Sequence, residues 1–300
     1  MPAPTPPVGQ TRPLVLDTDI GTDVDDAMAL GVLLGSPEVD LIGVSTVYGD
    51  TALRAQLAQR LLRLGGRGDC PVAPGARHTL SGKEPRWAGW EGQAQPDLDS
   101  ETVEADADGV DMLVNAAAEH SGELEVAAIG PLTNIALAID RDPAFATNVA
   151  RLHIMGGALD GRMAEWNFAC DTTAADVVLR SGIPTILTDL RICQRTRFEA
   201  THLQLVEAAA SPLATALSAE IRAYWRSRDH EWNTPHDPVA LLPLLAPDTV
   251  QVEARQVQCD PATGVTRLGE DSGEAIDVAT DLDPREVVDE IVRRLVVATT

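Results

Sequence analysis

Short apolar runs alternate with longer stretches of helical periodicity along most of this chain. Residues 12–16, 39–47, 71–73, 124–129, 149–155 and 185–190 read as strands. Between them, residues 26–34, 54–64, 110–120 and 172–181 read as helices, as does the stretch opened by Gly130-Pro131-Leu132-Thr133-Asn134. Such repetition builds a mostly parallel sheet with helices on both faces. Helices dominate from about 201 to 228. A hairpin is then expected at 250–258 and 265–268, followed by a strand at 275–279. The last helix, 284–297, gathers Val287, Val288, Ile291, Leu295 and Val296 on one face. No internal repeat or linker interrupts the pattern. The expectation is therefore one α/β domain over residues 12–300, with an open, mostly parallel central sheet flanked by helices. Residues 1–11 are proline-rich and are expected to form a disordered tail. Residues 78–108 form a Gly-, Pro-, Trp- and acid-rich loop, long enough to suggest function.

Composition narrows the function classes. With 300 residues and 44% hydrophobic content, the chain has ample material for a core. A formal charge of −23 argues against binding nucleic acid or an anionic membrane. Lys83 is the only lysine, a bias of genome or environment rather than a functional signal. The cysteines Cys70, Cys170, Cys193 and Cys259 are scattered with no CxxC pair, as expected for reduced thiols in a cytoplasmic protein. The N-terminus lacks the basic and apolar regions of a signal peptide, and no apolar run approaches the ~20 residues of a membrane span.

The chemistry concentrates after the first strand, in Asp17-Thr-Asp19-Ile-Gly21-Thr-Asp23-Val-Asp25-Asp26-Ala27. An apolar strand that ends in carboxylates at the mouth of a helix places negative charge at the C-terminal edge of the sheet, where open α/β folds bind ligands. Carboxylates this crowded repel one another unless a cation sits among them, and oxygen ligands select a hard ion such as Ca²⁺ or Mg²⁺. Further unusual residues follow other strands: Asp50, the Ile129-Gly-Pro-Leu-Thr-Asn134 segment and Met155-Gly-Gly157. Glu165-Trp166-Asn167 and His236-Asp237-Pro238 complete the set.

In that order, these segments resemble the nucleoside hydrolase family of the inosine–uridine-preferring type, from Asp17 to at least Ala240. The resemblance implies an N-ribosyl hydrolase on a parallel-sheet core, with Ca²⁺ at the bottom of its pocket. Asp19, Asp26 and Asp237 match the family's metal carboxylates, and the backbone carbonyl of Ile129 matches a main-chain ligand. A Ca²⁺-bound water beside Asp19 is then the nucleophile, with Asp19 taking its proton. The C1′–N bond breaks through an oxocarbenium-like sugar. The resemblance gives Asp25 the 2′-hydroxyl, Glu165 and Asn167 the 5′-hydroxyl, and Asp50 a place near the ribose. Met155 and Trp166 join the substrate contacts, and His236 is the candidate acid for the departing base. It further implies a small nucleoside substrate and a homodimer or homotetramer.

The chain also departs from the family pattern. The acidic turn is two residues longer than Asp-x-Asp-Pro-Gly-x-Asp-Asp-Ala, Ile20 replaces the proline, and Asp23 is an extra carboxylate. Asp50 stands where better-known members have asparagine. A shortened segment after Met155-Gly-Gly157 puts Arg162 or Met163 where a substrate-binding asparagine is expected, and Cys170-Asp171-Thr172-Thr173 lacks the usual proline-glutamate. Metal and ribose recognition are thus expected, with the base left open.

Other residues admit two readings. Trp87 and Trp90 either stack on a nucleobase or anchor their loop. Tyr224 and Trp225 either line the base side or pack the core. His153 is expected to be a satisfied core histidine, and His78, His120, His202 and His230 to lie at the surface. Cys170 and Cys193 are expected to fill space, and Asp17 to support the turn. Two rival functions remain. A non-catalytic nucleoside-binding protein would keep the same pocket. A Mg²⁺-dependent haloacid-dehalogenase-like phosphatase would use Asp17 as nucleophile, but it wants Thr or Val at Gly21 and a lysine in a context that Lys83 lacks.

Overall fold

The computed structural model describes residues 11–104, 106–269 and 275–300, so the expected tail at 1–11 lies, but for its last residue, outside the described residues. Its strands are β1 (Arg12–Thr18), β2 (Val39–Thr46), β3 (Val72–Pro74), β4 (Leu124–Ala128), β5 (Val149–Met155) and β6 (Asp160–Ala164). They continue with β7 (Thr185–Thr188), β8 (Phe198–Glu199), β9 (Trp232–Asn233), β10 (Val250–Cys259), β11 (Val265–Leu268) and β12 (Ala275–Leu282). One sheet runs in the order β3-β2-β1-β4-β5-β7-β12-β10-β11-β6, while β8 and β9 pair by themselves. The strands from β3 to β12 in that order are parallel, and β10, β11 and β6 continue the sheet antiparallel.

The helices are α1 (Asp25–Leu34), α2 (Thr51–Leu64), α3 (Gly109–Glu119), α4 (Thr133–Arg141), α5 (Phe145–Asn148) and α6 (Trp166–Cys170). They continue with α7 (Thr172–Leu179), α8 (Leu190–Cys193), α9 (Ala200–Glu207), α10 (Pro212–Arg228), α11 (His236–Leu245) and α12 (Pro284–Thr299). Strand alternation sorts them into two layers. Leu14 and Leu16 of β1 pack into the core with α1, α2 and α9 to α12. Val15, pointing the other way, packs with α3, α4, α5 and α7. Each fully buried Leu or Val contributes about 1.5–3 kcal/mol. The last helix returns to the first, and Gly35 makes that approach possible, since a Cβ there would lie 2.0 Å from the carbonyl oxygen of Arg294. The result is the single α/β domain with a mostly parallel sheet that the sequence pattern predicts.

Several boundaries move for local reasons. The strand expected at 185–190 stops at Thr188, because the Asp189 carboxylate accepts from the Ile192 N–H at 3.0 Å and starts α8. The helical stretch expected at 201–228 breaks between α9 and α10, where Ala210 is left-handed and Ser211 caps the next helix. The hairpin and the final helix form as expected. The exposed strand β6 and the short helix α6 went unpredicted.

This topology locates the site. From β1 the chain steps outward through β2 and β3, then crosses back to β4 and continues through β5 and β7. The order therefore reverses between β1 and β4, and a crevice opens beyond their C-terminal ends. Asp19 follows β1 there and Ile129 follows β4.

Candidate active site

The acidic turn is built from the end of β1. Asp17 is fully buried, and its Oδ1 accepts from Ser45 Oγ at 2.6 Å and Asn134 Nδ2 at 2.7 Å. Its Oδ2 has no partner, and burial pushes its pKa up to about 7. It does not line the cavity, in keeping with the supporting role expected of it. Thr18 donates its hydroxyl to Asp26 and accepts from the Ile20 N–H at 3.1 Å. Gly21, at φ +115°, supplies the left-handed backbone the turn needs before α1.

Two helix starts then converge. Asp25 and Asp26 occupy the first turn of α1, and Asp237 the first turn of α11, where the helix dipole favours negative charge. The three buried carboxylates offer oxygens within 4.8 Å of one another. Burial pushes Asp25 and Asp237 well above their ordinary values, followed by repulsion from Asp23 and Asp26 for the first and from Asp25 and Asp26 for the second. Asp26 is raised by burial and by Asp19, with Thr18 opposing. Asp19 lies outside this triad but on the same cavity wall, raised to about 6 by burial against the opposing charge of Arg54.

The cavity has a volume of about 600 Å³. Asp19, Asp25, Asp26, Ile129, Met155, Glu165, Trp166, Asn167, His236 and Asp237 all line it, bringing residues from distant segments together as expected. Glu165 caps α6, accepting from the N–H groups of Asn167 (2.9 Å), Gly157 (3.1 Å) and Phe168 (3.2 Å). Burial outweighs these bonds and raises its pKa to about 7. Asn167 donates through Nδ2 to the carbonyls of Ile129 at 2.8 Å and Met155 at 3.2 Å, joining the ends of β4 and β5. His236 is half-buried with its Nδ1 sealed and without a partner, and desolvation lowers its pKa while Asp23 opposes.

Asp50 is the expected site residue that does not line the cavity. Its carboxylate accepts from the Leu53 N–H at 3.2 Å and caps α2. The ambiguous residues resolve by geometry. Trp87 and Trp90 line the cavity and also anchor their loop. The Trp87 ring lies 5.3 Å from the Arg54 guanidinium carbon, and Trp90 Nε1 donates to the Thr22 carbonyl at 3.0 Å. Tyr224 reaches the acidic turn, whereas Trp225 is buried and donates to Asn233 at 2.9 Å. Met163, rather than Arg162, lines the cavity from β6, next to Ala164. His153 lies in the core with Nε2 2.8 Å from Glu125, though its Nδ1 has no partner. Cys170 and Cys193 are buried free thiols. Sequence reading missed Arg54, Arg86 and Arg228. Arg228 had a signal, four residues after Tyr224 on one helix face; the other two had none.

The model of the family described as inosine-uridine preferring nucleoside hydrolase matches residues 14–289. The chain belongs to this family. It is 32% identical over 281 residues to "Probable uridine nucleosidase 2" of Arabidopsis thaliana, covering 87% of this chain and 85% of that protein. It is 31% identical over 265 residues to the pyrimidine-specific ribonucleoside hydrolase RihA of Salmonella schwarzengrund, covering 82% and 83%. The fold superposes on a plant nucleoside hydrolase, PpNRh1, with TM-score 0.87 and 27% identity over 96% of this chain and 99% of that one. The nucleoside hydrolase is thus an N-ribosyl hydrolase that cleaves the N-glycosidic bond of ribonucleosides. A phosphatase reading fails, because Asp17 is sealed in the sheet away from the cavity. Among the described residues, no helix is long and apolar enough to cross a membrane.

Proposed function

We propose that the enzyme hydrolyses ribonucleosides with Ca²⁺ at the acidic cluster, releasing free base and ribose. The supporting observation is the buried triad Asp25, Asp26 and Asp237, set on a cavity wall that also carries Asp19, Glu165, Asn167 and His236. An all-oxygen, multiply anionic donor set suits a hard divalent ion. Asp26, Asp237, Asp19 and the Ile129 carbonyl would hold it, with Asp25 beside them placed to accept from the ribose 2′-hydroxyl. When bound, calcium neutralises the cluster and makes a water molecule easier to deprotonate.

The protein's own groups do the rest. Asp19, ionised above about pH 6 even without the ion, accepts the proton of the attacking water. The water oxygen bonds to C1′ as the C1′–N bond breaks and its electron pair leaves with the base. His236, whose desolvation disfavours the charged imidazolium, supplies an N–H donor to the departing nitrogen. Glu165 and Asn167 hold the 5′-hydroxyl at the junction of β4, β5 and α6. Trp87, Trp90 and Trp166 line the cavity and offer ring faces to the base.

Relatives named as uridine nucleosidase and pyrimidine-specific hydrolase put uridine first among substrates to test. A homodimer or homotetramer in the cytoplasm, with its four buried thiols reduced, belongs to the same reading. The deciding assay measures free ribose from a nucleoside panel with chelator and with Ca²⁺ restored. Ribose release that needs the ion is expected. Saturable nucleoside binding without ribose would leave a binding protein instead.

A further inference from the structure

We propose that Arg54 is a positioning residue for the metal site: its guanidinium sets the backbone of the acidic turn while leaving the carboxylate oxygens free for the cation. The inference rests on the metal reading above. Arg54 lies in the first turn of α2 and is 0% exposed, the largest of the fully buried side chains. Its Nε donates to the Tyr48 carbonyl at 2.7 Å. Nη1 donates to the carbonyls of Asp19 and Ile20, the latter at 2.7 Å, and Nη2 donates to the Thr22 hydroxyl at 3.1 Å.

A buried arginine loses its hydration, a cost normally offset by a carboxylate partner. Among the described residues Arg54 has no such partner, although Asp19 and Asp26 both feel its charge. Its donors go to backbone carbonyls and one hydroxyl. The positive charge therefore steadies the acidic cluster without occupying an atom the cation needs. The Asp19 carbonyl is turned to Arg54 while the Asp19 carboxylate is on the cavity wall, so fixing one aims the other.

Two further features mark a fixed geometry. Tyr48, whose carbonyl Arg54 holds, has φ 71°, a left-handed conformation costly for a non-glycine residue. Trp87 covers the guanidinium on the cavity side, its ring 5.3 Å away. A lysine keeps the charge but presents its donors from a single atom, so it cannot hold carbonyls on both turns at once.

The test is calorimetric titration of chelator-stripped full-length protein with Ca²⁺, paired with thermal melting. Arg54→Lys is expected to fold and to bind Ca²⁺ about tenfold more weakly, the scale of losing a residue that orients metal ligands. Parental affinity in the folded variant overturns the proposal. Should Arg54→Lys fail to fold, Thr22→Val removes only the acceptor of Nη2 and the donor to Glu91. It is expected to weaken Ca²⁺ binding severalfold in a variant that still melts cooperatively, while Thr22→Ser, which keeps the hydroxyl, restores the parental affinity. Equal affinities for parent and Thr22→Val again overturn it. No saturable Ca²⁺ binding by the parent would remove the metal reading itself, and this inference with it.

Discussion

The Tyr224 hydroxyl donates a 2.8 Å hydrogen bond to Oδ2 of Asp23, joining α10 to the acidic turn across 201 residues. Asp23 is the carboxylate that the longer turn adds, and its other oxygen accepts from the Val24 N–H at 2.6 Å. Asp23 and Arg228 both line the cavity, and the Arg228 guanidinium lies 5.5 Å from the centre of the Tyr224 ring. The extra carboxylate thus puts a charge on the cavity wall that His236 feels, and Tyr224 holds it from α10. Tyr224→Phe removes one hydrogen bond, a loss of about 0.5–1.5 kcal/mol, and frees Asp23 to turn. The ratio of kcat/KM for uridine to that for inosine is expected to change severalfold. Identical ratios in parent and variant would show that this pair has no part in choosing the base.

Asp19 and the triad are separable by experiment. Asp19→Ala removes the proton acceptor, for a loss of about 10²–10⁴-fold in kcat. Asp237→Ala removes a carboxylate of the triad at the start of α11, and the same kinetic loss should come with loss of Ca²⁺ affinity. Calorimetry and steady-state rates on the same preparations distinguish the two. Full turnover by Asp19→Ala would mean that another group takes the proton.

Much of this site was legible because strand ends and helix starts leave marks in sequence. Asp19, Asp26, Glu165 and Asp237 follow apolar runs or open helices, so topology alone brings them to one edge. Asp50 shows that a carboxylate after a strand also suits an N-cap: it caps α2 and is not part of the cavity lining. Arg54 left no mark, since one arginine in an amphipathic helix looks solvated until tertiary packing encloses it. β6 was equally silent. It is an exposed edge strand with no buried face to impose an alternating pattern.

The buried carboxyls predict an unusual stability profile. In the fold, Asp17 rises from 3.8 to about 7, Glu165 from 4.5 to about 7 and Asp19 from 3.8 to about 6, each chiefly through burial. A carboxyl raised in this way binds its proton more tightly folded than unfolded. Its ionisation therefore weakens the fold as pH rises from about 4 to about 7, and protonation restores stability on the way down. The metal-free protein should thus have a higher urea midpoint at pH 5.5 than at pH 7.5. Saturating Ca²⁺ should shrink or reverse that difference, because it stabilises the ionised cluster. A midpoint that falls on acidification in chelator would contradict the buried, unneutralised state of these groups.

Glu91 predicts how the tryptophan loop contributes to binding. It is 5% exposed and accepts from the N–H groups of Ala88 at 2.8 Å and Gly89 at 2.7 Å, and from the Thr22 hydroxyl at 3.2 Å. Those bonds hold Arg86, Trp87 and Trp90 against the cavity, with Trp90 also tied to the Thr22 carbonyl. Hydrogen bonds to a charged group contribute about 1.5–3 kcal/mol each. In Glu91→Ala, part of the nucleoside's binding energy would go to reordering the loop. KM is expected to rise about tenfold, equivalent to about 1.4 kcal/mol, with kcat nearly unchanged because Asp19 and the triad are untouched. Quenching of tryptophan fluorescence by bound nucleoside should weaken in parallel. A fall in kcat at constant KM would instead place the loop in the chemical step.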